Sequence, residues 1–125
     1  MRTLVLITAL CVLPVGSFSQ EVDETCEGTT YDVATCALRI LKKVESELSQ
    51  TYQRASKTAN EDYTPRDMEN LRVVQRRWIA YRDAACRAEH ELWGGGSGGP
   101  SAHTDCLIRI DRQRITELKN AYGVR

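Results

Sequence analysis

Two cysteines and two histidines stand at spacings that suit a metal: Cys86-x3-His90 and His103-x2-Cys106. Thiolate and imidazole are the donors zinc prefers. Other reactive residue types are present without their settings. Ser97 lies in the run Gly94-Gly95-Gly96-Ser97-Gly98-Gly99-Pro100, away from any strand–turn–helix context that would raise a serine nucleophile. No Gly-Lys-Ser/Thr follows that run, so it is not a phosphate loop. Carboxylates are numerous but spread along polar helix faces, and nothing singles out a glycosidase-like pair. The residues name no reaction. The reading is a binding protein, not an enzyme, with no metal and no cofactor.

Compartment decides the fate of the thiols. Arg2 is followed by an apolar stretch over residues 4–15, then Ser17-Phe18-Ser19 before Gln20. This is the three-part pattern of a secretory signal peptide over residues 1–19, cleaved near Ser19-Gln20. The stretch is too short to span a bilayer, and no second apolar run occurs, so no membrane span is expected. Acylation at Cys11 is disfavoured, because Leu10 stands where a small residue is needed. The product, residues 20–125, is expected to be one domain, secreted or periplasmic. In such a compartment cysteines oxidise. Four remain after cleavage, and four allow three pairings. Closeness in sequence favours Cys26–Cys36 with Cys86–Cys106, which leaves His90 and His103 as exposed polar residues rather than ligands.

Three helices are expected to carry these residues. In the first, over about 33–57, Ala34, Ala37, Leu41, Val44, Leu48 and Ala55 recur at helical steps with Tyr52 beside them, and Asp32 is placed to cap it. Residues 56–64 are polar and read as a break. Thr64, Pro65 and Asp67 then form a strong helix start. The second helix runs to about Leu92, with a stripe of Leu71, Val74, Trp78, Tyr81, Ala85, Ala88 and Leu92. Five glycines in seven residues end it, as either a flexible connector or a mobile binding loop. The third helix is expected over about 104–122, with Leu107, Ile110, Leu118 and Ala121 on one side, Ile108, Ile115 and Tyr122 beside them, and Gly123 as its stop. No segment alternates like a strand. The fold class is all-α: a small antiparallel three-helix bundle with two disulfides and a Gly-rich loop before the last helix. In that geometry Cys86 and Cys106 meet where neighbouring helix ends come together.

The 17 basic and 17 acidic residues balance, which excludes nucleic acid as a partner. Informative side chains concentrate in Gln75, Trp78, Tyr81, Arg82 and Asp83. Trp78 and Tyr81 lie on the stripe and read as packing anchors. Gln75 and Arg82 stand at its edge, as does Arg114 on the third helix. An arginine there covers apolar surface with its stem and pairs its head with a carboxylate, for which Asp83, Glu89 and Asp111 are candidates. The cluster reads as a structural polar network between helices. Trp93, where the second helix meets the glycines, either anchors a partner or plugs the end of the bundle.

The run from Gln75 to Cys86, Gln-Arg-Arg-Trp-Ile-Ala-Tyr-Arg-Asp-Ala-Ala-Cys, closely resembles the signature of the lysozyme-inhibitor LprI-like family of exported bacterial domains. The rest follows in order: a glycine-rich stretch, Cys106, then Ile110, Arg114 and Leu118 at the family's spacing. Upstream, Cys26, Cys36 and the Leu48-x-x-x-Tyr52 step resemble the family's N-terminal part. Asp111 departs from it, since a threonine is usual there. The resemblance implies an exported helical domain with paired cysteines that binds and inhibits lysozyme. The part suited to insertion into an enzyme cleft is the loop between Cys86 and Cys106, with His90, Trp93, Ser97 and His103. The competing expectation is a structural or interaction module that binds another protein of the cell envelope.

Overall fold

Two threonines set where the first two helices begin. Thr29 is extended, and its hydroxyl accepts from the Asp32 amide at 3.3 Å. The Asp32 carboxylate in turn accepts from the Thr29 amide at 3.0 Å and hydroxyl at 2.6 Å. Thr64 and Asp67 repeat the arrangement. Each reciprocal pair satisfies first-turn amides that have no partner inside the helix. Asp32 is therefore the third helical residue and not the cap, because Thr29 supplies the acceptor. In the computed structural model, which describes residues 25–124, these starts open α1 (Thr30–Asp62) and α2 (Pro65–Glu91); α3 is Gly98–Tyr122. The leader segment and Cys11 lie outside the described residues. No strand occurs among those described.

α1 runs through the polar stretch that reads as a break. Its inner face continues there on Ala55 and Ala59, both fully buried, while Lys57 and Glu61 pair on the outer face at 3.8 Å. Small alanines at a step of four carry the apolar side under a polar surface, so mean polarity misleads. α3 likewise begins earlier than expected, inside the glycine run. A first helical turn lacks intrahelical amide partners, so Pro100 costs nothing there. Within that run only Gly94 and Gly95, at φ 55° and 82°, take the left-handed backbone that turns the chain. Gly99 serves close approach: a Cβ there would come within 3.0 Å of the His90 ring. Gly123, at φ 62°, ends α3 as expected.

The three helices form an antiparallel bundle in which α3 packs most extensively on α1 and next on α2. Val44, Leu48, Ala55, Ala59, Leu71, Ile108, Ile115 and Leu118 make the main core. A smaller cluster holds Cys86, Cys106 and Ile110, and Trp78 touches both. Several expected core positions face water instead: Val74 and Ala88 on α2, Leu92 at its C-cap, and Ala121 on α3. Both disulfides form, Cys26–Cys36 with Cα atoms 5.7 Å apart and Cys86–Cys106 with Cα atoms 5.4 Å apart. No helix among the described residues is long and apolar enough to cross a membrane.

Because Cys86 and Cys106 are buried and close a separation of 20 residues, the crosslink should stabilise the domain strongly. On the chain-entropy model, replacing both with alanine should cost roughly 3 kcal/mol in urea unfolding. A loss below about 1 kcal/mol, with helical circular dichroism retained, would show that the unfolded chain is not what this bond constrains.

Candidate functional site

α2 and α3 face each other across a layer that mixes polar and apolar side chains. Trp78 lies at its centre, with the Arg82 guanidinium carbon 5.4 Å and that of Arg114 5.7 Å from its ring centroid. Two cations on one indole are each attracted by the ring's negative face. Arg114 donates from Nε to Gln75 Oε1 at 3.1 Å and from Nη1 to Glu117 Oε2 at 3.1 Å. Arg82 donates from Nη1 to Asp111 Oδ1 at 3.1 Å and from Nε to Asp83 Oδ1 at 2.9 Å. The order Gln75–Arg114, Arg82–Asp111, Cys86–Cys106 fixes the antiparallel register.

Gln75 and Arg114 are thus buried rather than at an edge, because the face of α2 that meets α3 is rotated toward them. The same rotation puts Tyr81 outside: its side chain is 63% exposed and anchors nothing in the monomer. Of the candidate carboxylates, Asp83 and Asp111 hold Arg82, while Glu89 pairs with Arg109. Glu117 escaped the sequence reading; its place three residues after Arg114 on one helix was the available signal.

Asp111 is fully buried, and its Oδ2 has no protein partner. Burial raises its carboxyl above the ordinary 3.8, against the opposing pull of Arg82. Burial also works to lower Arg82, but its bonds to Asp83 and Asp111 outweigh this and raise it. The layer clamps α2 to α3 through the Arg82–Asp111 and Arg114–Gln75 bonds.

The loop tip differs. Leu92 and Trp93 are 85% and 56% exposed. The Trp93 ring rests on Gly98, where an added Cβ would come within 2.3 Å of it. The tip is closed by amide bonds from Gly94 to Glu91 O at 3.0 Å, Gly96 to Trp93 O at 2.8 Å and Gly99 to Gly96 O at 3.1 Å. Ser97 is exposed and makes no capping bond. His90 and His103 are half-buried, not exposed, with rings edge to face at 6.2 Å. The structure therefore brings the four loop residues to one end of the bundle, with Trp93 and Ser97 on its surface and the histidine pair packed at its base. Cys86 and Cys106 spend their sulfurs on each other, and no group of three metal-ligating side chains occurs among the described residues.

The raised Asp111 carboxyl has a signed consequence. The folded chain holds this proton more readily than the unfolded one, so the group's contribution is complete below pH 3.8 and is lost as pH rises through the folded value. Asp111→Asn cannot titrate. Its melting temperature relative to wild type should therefore climb between pH 3.8 and neutrality. A relative melting temperature that falls over that interval would mean the Arg82 pair outweighs burial.

A protein of Rhizobium meliloti (strain 1021), itself uncharacterized, is 29% identical over 118 residues, covering 87% of this chain and 85% of its own. No solved structure matches. A family model described as lysozyme inhibitor LprI matches residues 23–118, which takes in both disulfides, the clamp and the loop tip. The chain belongs to the LprI lysozyme-inhibitor family.

Proposed function

We propose that this protein is an exported inhibitor that blocks the cleft of a lysozyme with the tip between α2 and α3. Export follows the leader pattern over residues 1–19, and the two disulfides suit an extracytoplasmic site. The observation that carries the reading is the exposed Leu92–Trp93 pair on a tip whose base the Cys86–Cys106 bond fixes. A protruding aromatic on a restrained turn is a natural anchor for a concave partner. Lysozyme offers such a cleft, lined by two carboxylates. α3 begins at the tip with no side-chain cap, which leaves the Gly98 amide and the Ser97 hydroxyl as donors suited to a carboxylate.

Ordering cost favours the reading. Gly98 and Gly99 are already helical, and the three amide bonds close the rest of the turn. Little entropy is then left to lose on binding.

The oxidised chain from residue 20 onward should inhibit animal-type or goose-type lysozyme in a turbidity assay, and reduction should abolish the effect. Gly98→Ala, which keeps Trp93 but unseats its ring, should weaken inhibition about tenfold, as loss of one anchor does. Inhibition untouched by combined replacement of Trp93, Ser97 and His103 would exclude the tip. Folded protein that inhibits neither enzyme would leave an envelope interaction module as the account.

A further inference from the structure

One face of α2 carries an apolar stripe that the monomer leaves in water. Val74, Tyr81 and Leu92 are 50%, 63% and 85% exposed, and half-buried Ala85 and exposed Ala88 complete the helical steps from Tyr81 to Leu92. Within the Trp78–Cys86 stretch, Trp78, Arg82, Asp83 and Cys86 all have partners in the fold, and Tyr81 has none. Steps of three and four along one helix are the spacing of a helix–helix seam. Beside the stripe stand Arg77 and Glu91, both exposed and neither in an ion pair among the described residues.

We propose that this face binds a second copy of the chain, α2 against α2 and antiparallel, about a twofold axis at Ala84. Arg77 and Glu91 lie equally far on either side of Ala84. Antiparallel pairing therefore sets Arg77 opposite Glu91 of the partner subunit, and the twofold axis repeats the contact. Parallel pairing would bring each charge toward its own copy. The same axis sets exposed Ala80 opposite Ala88 of the partner subunit and Ala84 opposite its own copy, and small side chains let two helices approach closely. Such a contact is self-complementary and closes at two subunits. The two loop tips then project at opposite ends of the dimer. The inference does not depend on the lysozyme reading: only Leu92 belongs to both surfaces, and the readout here is association rather than inhibition.

Sedimentation of the oxidised chain from residue 20 onward, over rising concentration, tests this. Wild type should reach the mass of a dimer. Arg77→Glu or Glu91→Arg alone should weaken dimerisation at least about tenfold, as like charges face each other, and the double exchange R77E/E91R should restore it. Ala84→Cys should oxidise to a covalent dimer, whereas Arg76→Cys, on another face of α2, should not. Helical circular dichroism of each variant separates lost association from lost folding. A wild type that stays monomeric throughout, a double exchange that fails to restore association, or equal crosslinking from both cysteine positions would overturn the proposal.

Discussion

The α2–α3 hairpin is held by a covalent bond set inside a small apolar cluster. α2 fully buries only Leu71, Gln75 and Cys86. One of these is polar, and one is the disulfide. Leu71 joins the main core near the start of α2, while the distal half of the hairpin relies on the smaller cluster of Cys86, Cys106 and Ile110 with Trp78, Ala85 and Leu107. The Cys86–Cys106 bond removes much of the freedom that the distal half would otherwise regain on opening. The clamp, the seating of Trp93 on Gly98 and the histidine pair all lie along the two helices it joins. Each depends on those helices keeping one register.

The clamp itself contributes register more than stability. Arg82 with Asp111 is a largely desolvated pair, and taking such charges out of water offsets most of their attraction. Its value lies in what happens when it is broken. A slip of α3 along α2 would leave the Asp111 carboxylate in the core with no cation, and Arg114 would lose Gln75. Buried polar groups without partners cost far more than the pairs gain. The stack of Arg82, Trp78 and Arg114 adds geometry to this, since one ring must meet both guanidinium groups. Asp111 gives Arg82 a buried anion that a hydroxyl would not supply.

Much of this was legible in the sequence. Helix number, both disulfide pairings, the Thr64–Pro65 start and the Gly123 stop follow from local chemistry that tertiary packing does not override. What was not legible is rotation. On α2 the apolar residues and the buried residues form overlapping but different stripes. Apolar spacing selects Val74, Tyr81, Ala88 and Leu92, while the fold buries Gln75 and half-buries Arg82. Hydrophobic period locates a buried face only when that face is hydrophobic. Here two of its members carry hydrogen-bonding heads whose partners, Arg114 and Asp111, lie on another helix. The early start of α3 was hidden for a related reason: glycine propensity speaks against helix, but Gly98 and Gly99 are demanded by the rings of Trp93 and His90.

The same mismatch explains how one short helix can serve three surfaces. Because polar side chains lock α2 to α3, its apolar residues are released from packing and remain available at the surface. Had Val74, Tyr81 and Leu92 faced inward, the hairpin would have a greasier core and no exposed seam. Arg82 and Gln75 would then lie in water. Placing polar pairs inside gives up some burial energy, which the disulfide offsets. In return α2 keeps a fixed inner face, an apolar flank and an aromatic tip, each pointing a different way, and the covalent bond keeps the three in constant relation.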